Sequence, residues 1–178
     1  QIPGLDVHIR YRNVTEGLRI GGDFCDVFPI GPNRWGFFIG DAAGHDLNTV
    51  ATTMVAHHTL RAAGLHLRRP ERVLKWLDDT LSGTPDTVFC SAISGIIEFV
   101  GATPTIQLAN AGHQRPIHLS RLGATSLEPA TRLCGIGAEF IEPPLVQLTL
   151  DPGDQLVLYT DGLIESPTPR LSDRQFVS

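Results

Sequence analysis

Three aspartates stand in glycine-rich turns, and two of them directly follow apolar runs. They are Asp23 in Gly21-Gly22-Asp23-Phe24, Asp41 in Gly40-Asp41-Ala42-Ala43-Gly44-His45, and Asp161 in Tyr159-Thr160-Asp161-Gly162. The runs before Asp41 and Asp161 have the composition of buried strands, so both carboxylates are expected where a strand leaves the core. A carboxylate in that place is costly unless it is paired, hydrogen-bonded or bound to a metal. Carboxylates on convergent strand ends would offer an oxygen-rich site to a hard divalent cation.

Each turn taken alone has a simpler explanation, because Asp and Gly are common turn residues for purely local reasons. The same local pattern three times favours a shared site over coincidence. Asp26 adds a fourth carboxylate, although in an alternating strand its side chain points to the face opposite that of Asp23. His45 and His113 each follow a glycine. Each either braces its turn or hydrogen-bonds to a metal-bound water or carboxylate.

The donor types predict the metal and the class of reaction. Carboxylates with few His or Cys neighbours favour Mg²⁺ or Mn²⁺ over Zn²⁺. Two such ions about 3.5–4 Å apart can activate a bridging water and neutralise a phosphoryl group. The sequence contains no P-loop motif and no Gly-x-Ser-x-Gly motif, which removes two competing chemistries. The pattern therefore predicts metal-assisted hydrolysis of a phosphate ester.

Length and composition predict a single domain. The 178 residues are 42% hydrophobic and carry a net charge of -5, so neither nucleic acid nor an anionic membrane is an expected partner. No apolar run approaches the ~18–20 residues that span a bilayer. Three cysteines without a Cys-x-x-Cys pair predict buried free thiols and a cytoplasmic protein. Because the chain does not begin with Met, we expect residues 1–178 to be excised from a longer or multidomain protein.

The order of predicted elements indicates an α+β fold. Strands are predicted over 6–12, 26–30, 35–39, 87–99, 105–110, 115–119, 145–150 and 155–160. Residues 26–30 and 35–39 should pair as a hairpin, and 110–113 and 151–154 should be hairpin connections. The simplest arrangement is two antiparallel sheets stacked as a sandwich, with a helix pair on one outer face.

Two helices are predicted between the strands. The first begins at Leu47, capped by Asp46 or Asn48, and ends at Gly64. Its spacing predicts the buried face Val50, Ala51, Met54, Val55 and His58. The second helix begins at Pro70, a favoured first-turn position. Its predicted buried face is Val73, Leu74, Leu77 and Leu81.

Four motifs, in this order, resemble those of the bacterial PPM-type serine/threonine phosphatases, in the branch of stage II sporulation protein E and the stress-regulator phosphatases. They are GGDFCDVF at 21–28, GDAAGH at 40–45, NAGH at 110–113 and LYTDGLIE at 158–165. The resemblance runs from about residue 3 to about residue 166. It implies an antiparallel β-sandwich flanked by helix pairs, and a substrate that carries phosphoserine or phosphothreonine.

The resemblance also implies a role for each matched residue. Asp41 corresponds to the carboxylate that bridges two Mn²⁺ or Mg²⁺ ions, and Asp23 to an outer ligand of the second ion. Ala42 would supply a backbone carbonyl, and Asp161 would bind the first ion. Asp23, Asp41 and Asp161 are thus the predicted catalytic set. Further residues expected to lie around these ligands and support them without binding the ions are Asp26, Gly44, His45 and Gly162. The implied partner is a phosphorylated anti-sigma factor antagonist.

The sequence departs from the family pattern in three places. No counterpart of the family's Asp-Asp pair, which opens a final strand and provides a ligand, occurs before Ser178. We therefore expect the fold to lack its C-terminal strand and one metal site to be incomplete. Asp46 replaces a usual glycine, and Cys25 replaces a usual tyrosine.

Two alternatives and two consequences accompany these departures. One alternative is a catalytically impaired module of the same fold that acts by binding a regulatory protein. A two-metal phosphodiesterase or nuclease is disfavoured by the acidic charge. The open sheet edge left by a missing strand favours a homodimer. The helix from Leu47 is expected to couple activation to Asp41, because packed helices can switch between discrete positions.

Overall fold

The computed structural model describes residues 2–11, 21–44, 47–84, 88–128, 130–137 and 139–165. Eight strands and three helices lie within these ranges. In chain order they are β1 (Asp23–Gly31), β2 (Arg34–Ala42), α1 (Leu47–His66), α2 (Pro70–Ser82), β3 (Cys90–Val100), β4 (Thr103–Ala111), β5 (Ile117–Ser120), β6 (Gly123–Ser126), β7 (Val146–Thr149), β8 (Gln155–Val157) and α3 (Gly162–Glu165). None of the described helices is long and apolar enough to cross a membrane.

The strands form two antiparallel sheets. One has five strands in the order β1-β2-β3-β4-β7, and the other has three in the order β6-β5-β8. Alternation sends Phe24, Phe28 and Phe38 to a core shared with α1 and α2, and Phe37 and Ile93 to a core against the second sheet. This arrangement confirms the predicted α+β sandwich with a helix pair on one outer face.

The predicted hairpin and the second helix are confirmed. β1 and β2 pair across a tight turn at Pro32-Asn33, where Asn33 takes a positive φ of 55°. α2 begins at Pro70 and buries the predicted Val73, Leu74, Leu77 and Leu81.

The predicted buried face and end of the first helix are wrong. α1 buries Thr49, Ala56, Leu60 and Ala63, while Met54 is 58% exposed. Small and hydroxyl-bearing side chains let the helix approach the sheet closely. The close packing that results is favoured over burial of the larger apolar residues. Gly64 does not end the helix but is buried within it, where an added Cβ would come within 2.8 Å of the Phe28 ring.

Threonine hydroxyls of α1 bond to backbone oxygens. Thr52 donates to the carbonyl of Asn48 at 2.8 Å. The Thr53 hydroxyl lies 2.9 Å from the carbonyl oxygen of Thr49 and 3.3 Å from that of Gly22, which immediately precedes β1. The helix therefore has a polar contact with the strand that carries Asp23. Of the two predicted caps, Asn48 lies inside the helix and Asp46 is outside the described residues.

The structure also differs from the sequence predictions for one strand, two connections, the end of another strand and the unpredicted strand β6. Residues 6–11 alternate in polarity but pair with no described strand, and Val7, Ile9 and Tyr11 are exposed. Residues 110–113 and 151–154 each join strands of different sheets, so neither is a hairpin connection. The strand predicted over 155–160 ends at Val157, and β6 is entirely exposed without an apolar signal.

Candidate metal centre

Asp23 and Asp41 are direct cross-strand partners on β1 and β2. Directly opposed residues of an antiparallel pair project from the same face, and alternation with Val27 and Phe37 places that face towards the second sheet. Next to this pair, the backbone N–H of Ala42 donates to the carbonyl of Gly22 at 3.0 Å. The hairpin register thus brings two of the predicted ligands together at one end of the sandwich.

Asp161 reaches the same end from the segment that follows β8. Asp41 and Asp161 line one cleft of about 200 Å³. The Thr160 hydroxyl donates to Oδ2 of Asp23 at 3.1 Å, which ties this segment to β1. Burial raises the pKa of the Asp23 carboxyl, the hydrogen bond from Thr160 lowers it, and the charge of Asp161 raises it. Asp161 therefore interacts with Asp23 and shares a cleft with Asp41, although it lies beyond β8 while the other two lie on β1 and β2.

Gly22 leaves a space beside two of the candidate donors. An added Cβ there would lie 2.3 Å from the carbonyl oxygen of Ala42 and 2.5 Å from Oδ1 of Asp41. A side chain would fill this space, so the glycine keeps both oxygens accessible. Carboxylate and carbonyl oxygens are the donors that Mg²⁺ and Mn²⁺ prefer, and the residues fit such an ion. Within the described ranges, however, no three His, Cys, Asp or Glu side chains already converge on one point.

The four residues predicted to support the ligands do not all lie near the carboxylates. Asp26 lies on the opposite face of β1, where its carboxylate pairs with Arg61 of α1. Gly44 adopts a φ of +112°, and an added Cβ would lie 2.5 Å from the Thr49 hydroxyl. Gly162 is the first residue of α3. His45 falls outside the described residues.

His113 is buried at the cleft, with 5% of its surface exposed. Asn110 braces its turn: the His113 N–H donates to Oδ1 at 2.8 Å, and Nδ2 donates to the His113 carbonyl at 3.1 Å. The ring Nδ1 lies 2.7 Å from the Ser91 hydroxyl, and Ser91 is the cross-strand partner of Asp41. His113 thus both braces its turn and borders the site. Ser91 is a neighbour that no sequence pattern singled out, because serine is ordinary in a strand.

The His113 ring is neutral near pH 7. Burial lowers its pKa to about 4, while the Tyr159 backbone carbonyl and the charge of Asp161 act in the opposite direction. Among the described residues, Nε2 has no hydrogen-bond partner of normal geometry. A neutral imidazole can hold one proton beside the cleft without adding positive charge.

Tyr11 is a second neighbour that sequence reasoning missed. Its hydroxyl lies at the Gly21-Gly22 turn, 2.7 Å from where a Cβ on Gly21 would be. Burial raises the pKa of this phenol, and the charges of Asp23 and Asp41 raise it further. The alternating pattern of residues 6–12 predicted a strand there and gave no indication that Tyr11 would contact this turn.

Comparison with known proteins assigns the family. The family model described as stage II sporulation protein E matches residues 31–177. The chain is similar to the RsbU and RsbW domains of a Mycobacterium tuberculosis protein, at 26% identity and a TM-score of 0.73, over 85% of this chain and 42% of that one. It is also similar to the PP2C phosphatase domain and regulatory fragment of SpoIIE from Bacillus subtilis, at 19% identity and a TM-score of 0.68, over 85% and 44% of the two chains.

A third similar structure is the catalytic domain of the serine/threonine protein phosphatase PstP with two manganese ions. Identity is 14% and the TM-score 0.56, over 84% of this chain and 75% of that one. The likenesses below 25% identity show the fold alone. The chain spans less than half the length of the RsbU–RsbW and SpoIIE structures. From the family match over residues 31–177, the chain belongs to the stage II sporulation protein E family of PPM-type phosphatase domains.

Proposed function

We propose that this chain is a Mn²⁺- or Mg²⁺-dependent serine/threonine phosphoprotein phosphatase domain. The observation that supports the proposal most strongly is the pairing of Asp23 with Asp41 across the hairpin, beside the space that Gly22 leaves open, with Asp161 lining the same cleft as Asp41. Family membership supports the same reaction class, and the PstP structure holds two manganese ions.

In this proposal the ligands come from three segments. Asp41 would be shared by two ions, Asp23 and the Ala42 carbonyl would hold one of them, and Asp161 would hold the other. When bound, the ions supply positive charge that neutralises a phosphoryl group and activates water for hydrolysis. Without cations, the carboxylates would repel a phosphate dianion, so we expect phosphoprotein binding to require metal.

The surrounding residues hold this constellation in place. Thr160 holds Asp23 through its hydroxyl, and the Ala42–Gly22 hydrogen bond fixes the register of the hairpin. His113 and Ser91 form a neutral hydrogen-bonded pair behind Asp41. These hydrogen bonds limit the movement of the ligand side chains. An ion would otherwise have to impose the ligand geometry itself.

We propose a phosphorylated anti-sigma factor antagonist as the substrate, in the cytoplasm. The support is the family match together with the similarity to a structure that contains an RsbU domain. Phosphate on a serine or threonine of a small protein suits an open cleft better than a deep pocket.

The test is release of phosphate from a phosphoserine protein in the presence of Mn²⁺, with Asp41→Asn as the variant. We expect a loss of rate of about 100-fold or more, because Asp41 would hold both ions. Asp79→Asn, which changes an exposed carboxylate on α2, is the matched control and should keep the rate of the unmodified chain. Equal rates from the Asp41→Asn protein and the unmodified chain would refute the proposal.

The second candidate is an impaired module that binds a regulatory protein. It is favoured by one observation, that no three candidate side chains within the described ranges already converge on one point. Calorimetric titration with Mn²⁺ discriminates between the two. Two saturable sites support the phosphatase, whereas no saturable binding up to millimolar Mn²⁺ supports the impaired module.

A further inference from the structure

The cleft that contains the carboxylates is also lined by two large apolar side chains. Asp41 and Asp161 share it with Phe89 and Leu133. Both apolar residues are half-buried, so each keeps part of its surface accessible. A phosphoryl group gains nothing from apolar surface, because charged oxygens lose their hydration there without compensation. The chemistry of the phosphate therefore gives these two side chains no use.

Phe89 is fixed beside the proposed ligands through the backbone. The N–H of Ala43 donates to the Phe89 carbonyl at 3.1 Å, and Ala43 directly follows the proposed ligand Ala42. Cys90, the residue after Phe89, is the cross-strand partner of Ala42. An aromatic side chain is thus kept within one or two residues of the ligands, counted along either strand.

Leu133 occupies a space that Gly112 leaves open. Gly112 has a φ of +67°, and an added Cβ would lie 2.6 Å from Cδ2 of Leu133 and 3.0 Å from its backbone nitrogen. A side chain at position 112 would therefore push Leu133 away. Because Gly112 is followed by His113, which borders the site, the glycine brings the leucine into the same cleft.

Leu133 lies in a short extended stretch, residues 131–135, which we call the wall segment. Its first residue, Thr131, donates its N–H to the carbonyl of Asn110 at 3.0 Å. Cys134 and Cys90 exchange two backbone hydrogen bonds, at 2.9 and 3.0 Å. The wall segment is thereby attached to the end of β4 and to the start of β3.

A buried carboxylate of α2 holds the wall segment from the other side. Asp78 is only 3% exposed. Its Oδ1 accepts the N–H of Gly135 at 2.8 Å and lies 3.7 Å from Nη1 of Arg132. A buried carboxylate is costly unless it is paired, and both of these partners flank Leu133 in the wall segment. Asp78 therefore fixes the segment that carries the leucine.

From these contacts we infer that Phe89 and Leu133 determine substrate specificity, so that the cleft prefers a phosphoserine whose neighbouring residue is apolar. The inference rests on the proposed phosphatase function and adds the substrate class. Consecutive Cα atoms are about 3.8 Å apart, which brings a side chain next to the phosphoserine within reach of the cleft lining. Asp78 is a positioning residue, because it acts on the substrate only through Leu133.

Two synthetic phosphopeptides test the inference. One has leucine on both sides of the phosphoserine, the other has asparagine, which is similar in size but polar, and phosphate release is measured with Mn²⁺. Loss of an apolar contact in a pocket changes kcat/KM by roughly 10–200-fold, so the unmodified chain should favour the leucine peptide about tenfold. Leu133→Ser should reduce this ratio to about threefold or less and leave kcat/KM for the asparagine peptide within about twofold. Leu122→Ser, at a fully exposed leucine between β5 and β6, is the matched control and should keep the ratio.

The outcomes separate this inference from the function on which it rests. Equal kcat/KM for the two peptides, or an unchanged ratio in the Leu133→Ser protein, would overturn the inference and leave the phosphatase proposal standing. Release of phosphate from neither peptide by the unmodified chain would count against the phosphatase proposal and overturn the inference with it.

The role of Asp78 is tested by two substitutions. Asp78→Asn keeps an oxygen that can accept the Gly135 N–H, so it should retain the peptide ratio, whereas Asp78→Ala leaves that N–H unpaired and should lower the ratio to about threefold or less. Circular dichroism establishes that each protein is folded. A tenfold ratio (roughly that of the unmodified chain) in a folded Asp78→Ala protein would overturn the positioning role. If Asp78→Ala does not fold, loss of the ratio in the folded Asp78→Asn protein overturns that role, and the Leu133→Ser measurement still decides the specificity.

Discussion

Replacement of Gly22 by alanine tests why the site begins with two glycines. The φ of Gly22 is not in the left-handed region, so the demand for glycine comes from space and not from backbone conformation. The new Cβ would lie 2.3 Å from the Ala42 oxygen and 2.5 Å from Oδ1 of Asp41. The hairpin backbone would have to separate by at least about 0.7 Å to reach 3.0 Å, a distance still below normal contact.

This separation has two costs. It lengthens the hydrogen bond from the Ala42 N–H to the Gly22 carbonyl, now 3.0 Å, whose net contribution is about 1 kcal/mol. Overpacking adds about 1–3 kcal/mol, so we expect Gly22→Ala to lower the free energy of unfolding by about 2–4 kcal/mol. It also displaces two proposed metal ligands, and ions with strict bond lengths tolerate little displacement. Affinity for Mn²⁺ should therefore fall at least tenfold in the protein that remains folded.

Gly31→Ala is the matched control. Gly31 ends the same strand, has no positive φ, and an added Cβ would meet nothing within 4 Å, so its stability should change by less than about 1 kcal/mol. Urea unfolding followed by tryptophan fluorescence measures stability, and calorimetry measures Mn²⁺ binding. If the Gly22→Ala protein matches Gly31→Ala in both measurements, the steric argument is wrong.

Two further predictions concern buried titratable groups. The pKa of His113 is about 4 in the folded chain and about 6.5 when unfolded. Only the unfolded state gains the proton between these values, so the stabilising contribution present above pH 6.5 is lost as the pH falls towards 4. Between pH 7 and pH 4.5 the His113→Gln protein should lose about 2–3 kcal/mol less unfolding free energy than the unmodified chain; equal losses would contradict the placement of this ring. Burial raises the pKa of the Cys90 thiol to about 12, whereas Cys25 is half-buried. Iodoacetamide at pH 8 should thus modify Cys25 well before Cys90, as read by peptide mass spectrometry, and equal rates would argue against the buried position of Cys90.

Sequence patterns predicted the parts of the fold where local preference and packing agree. The hairpin of β1 and β2 combines alternating strands with a Pro-Asn turn, and α2 combines a proline start with one apolar stripe. Packing overruled the pattern in α1, because Thr49 and Ala56 fit closer to the sheet than Met54 would. No single-chain pattern could show this, since the buried face depends on what the helix packs against. The assignment of residues 6–11 failed because alternation describes a strand only where a partner strand lies alongside, and no strand among the described residues does so here.

The candidate site was predictable to a similar degree. Asp23, Asp41 and Asp161 carry visible glycine-rich motifs, and the fold brings them to one end. The pairing of Ser91 with His113 depends on the register between β2, β3 and the turn after β4, which becomes apparent only in three dimensions. Tyr11 joins the site from a segment with no regular structure, so periodicity carries no information about its placement.

The Thr53 hydroxyl has a single proton and two acceptors, one in its own helix and one at Gly22. It can donate to only one of them at a time, so a small movement of α1 decides which oxygen receives the bond. The net value of such a bond is about 1 kcal/mol, which corresponds to roughly a fivefold change in an equilibrium constant. That figure limits how strongly this one contact could transmit a helix movement to the aspartate pair. It is enough to adjust the affinity of the site for metal and too little to switch the site on or off, so any larger response would require several contacts to change together.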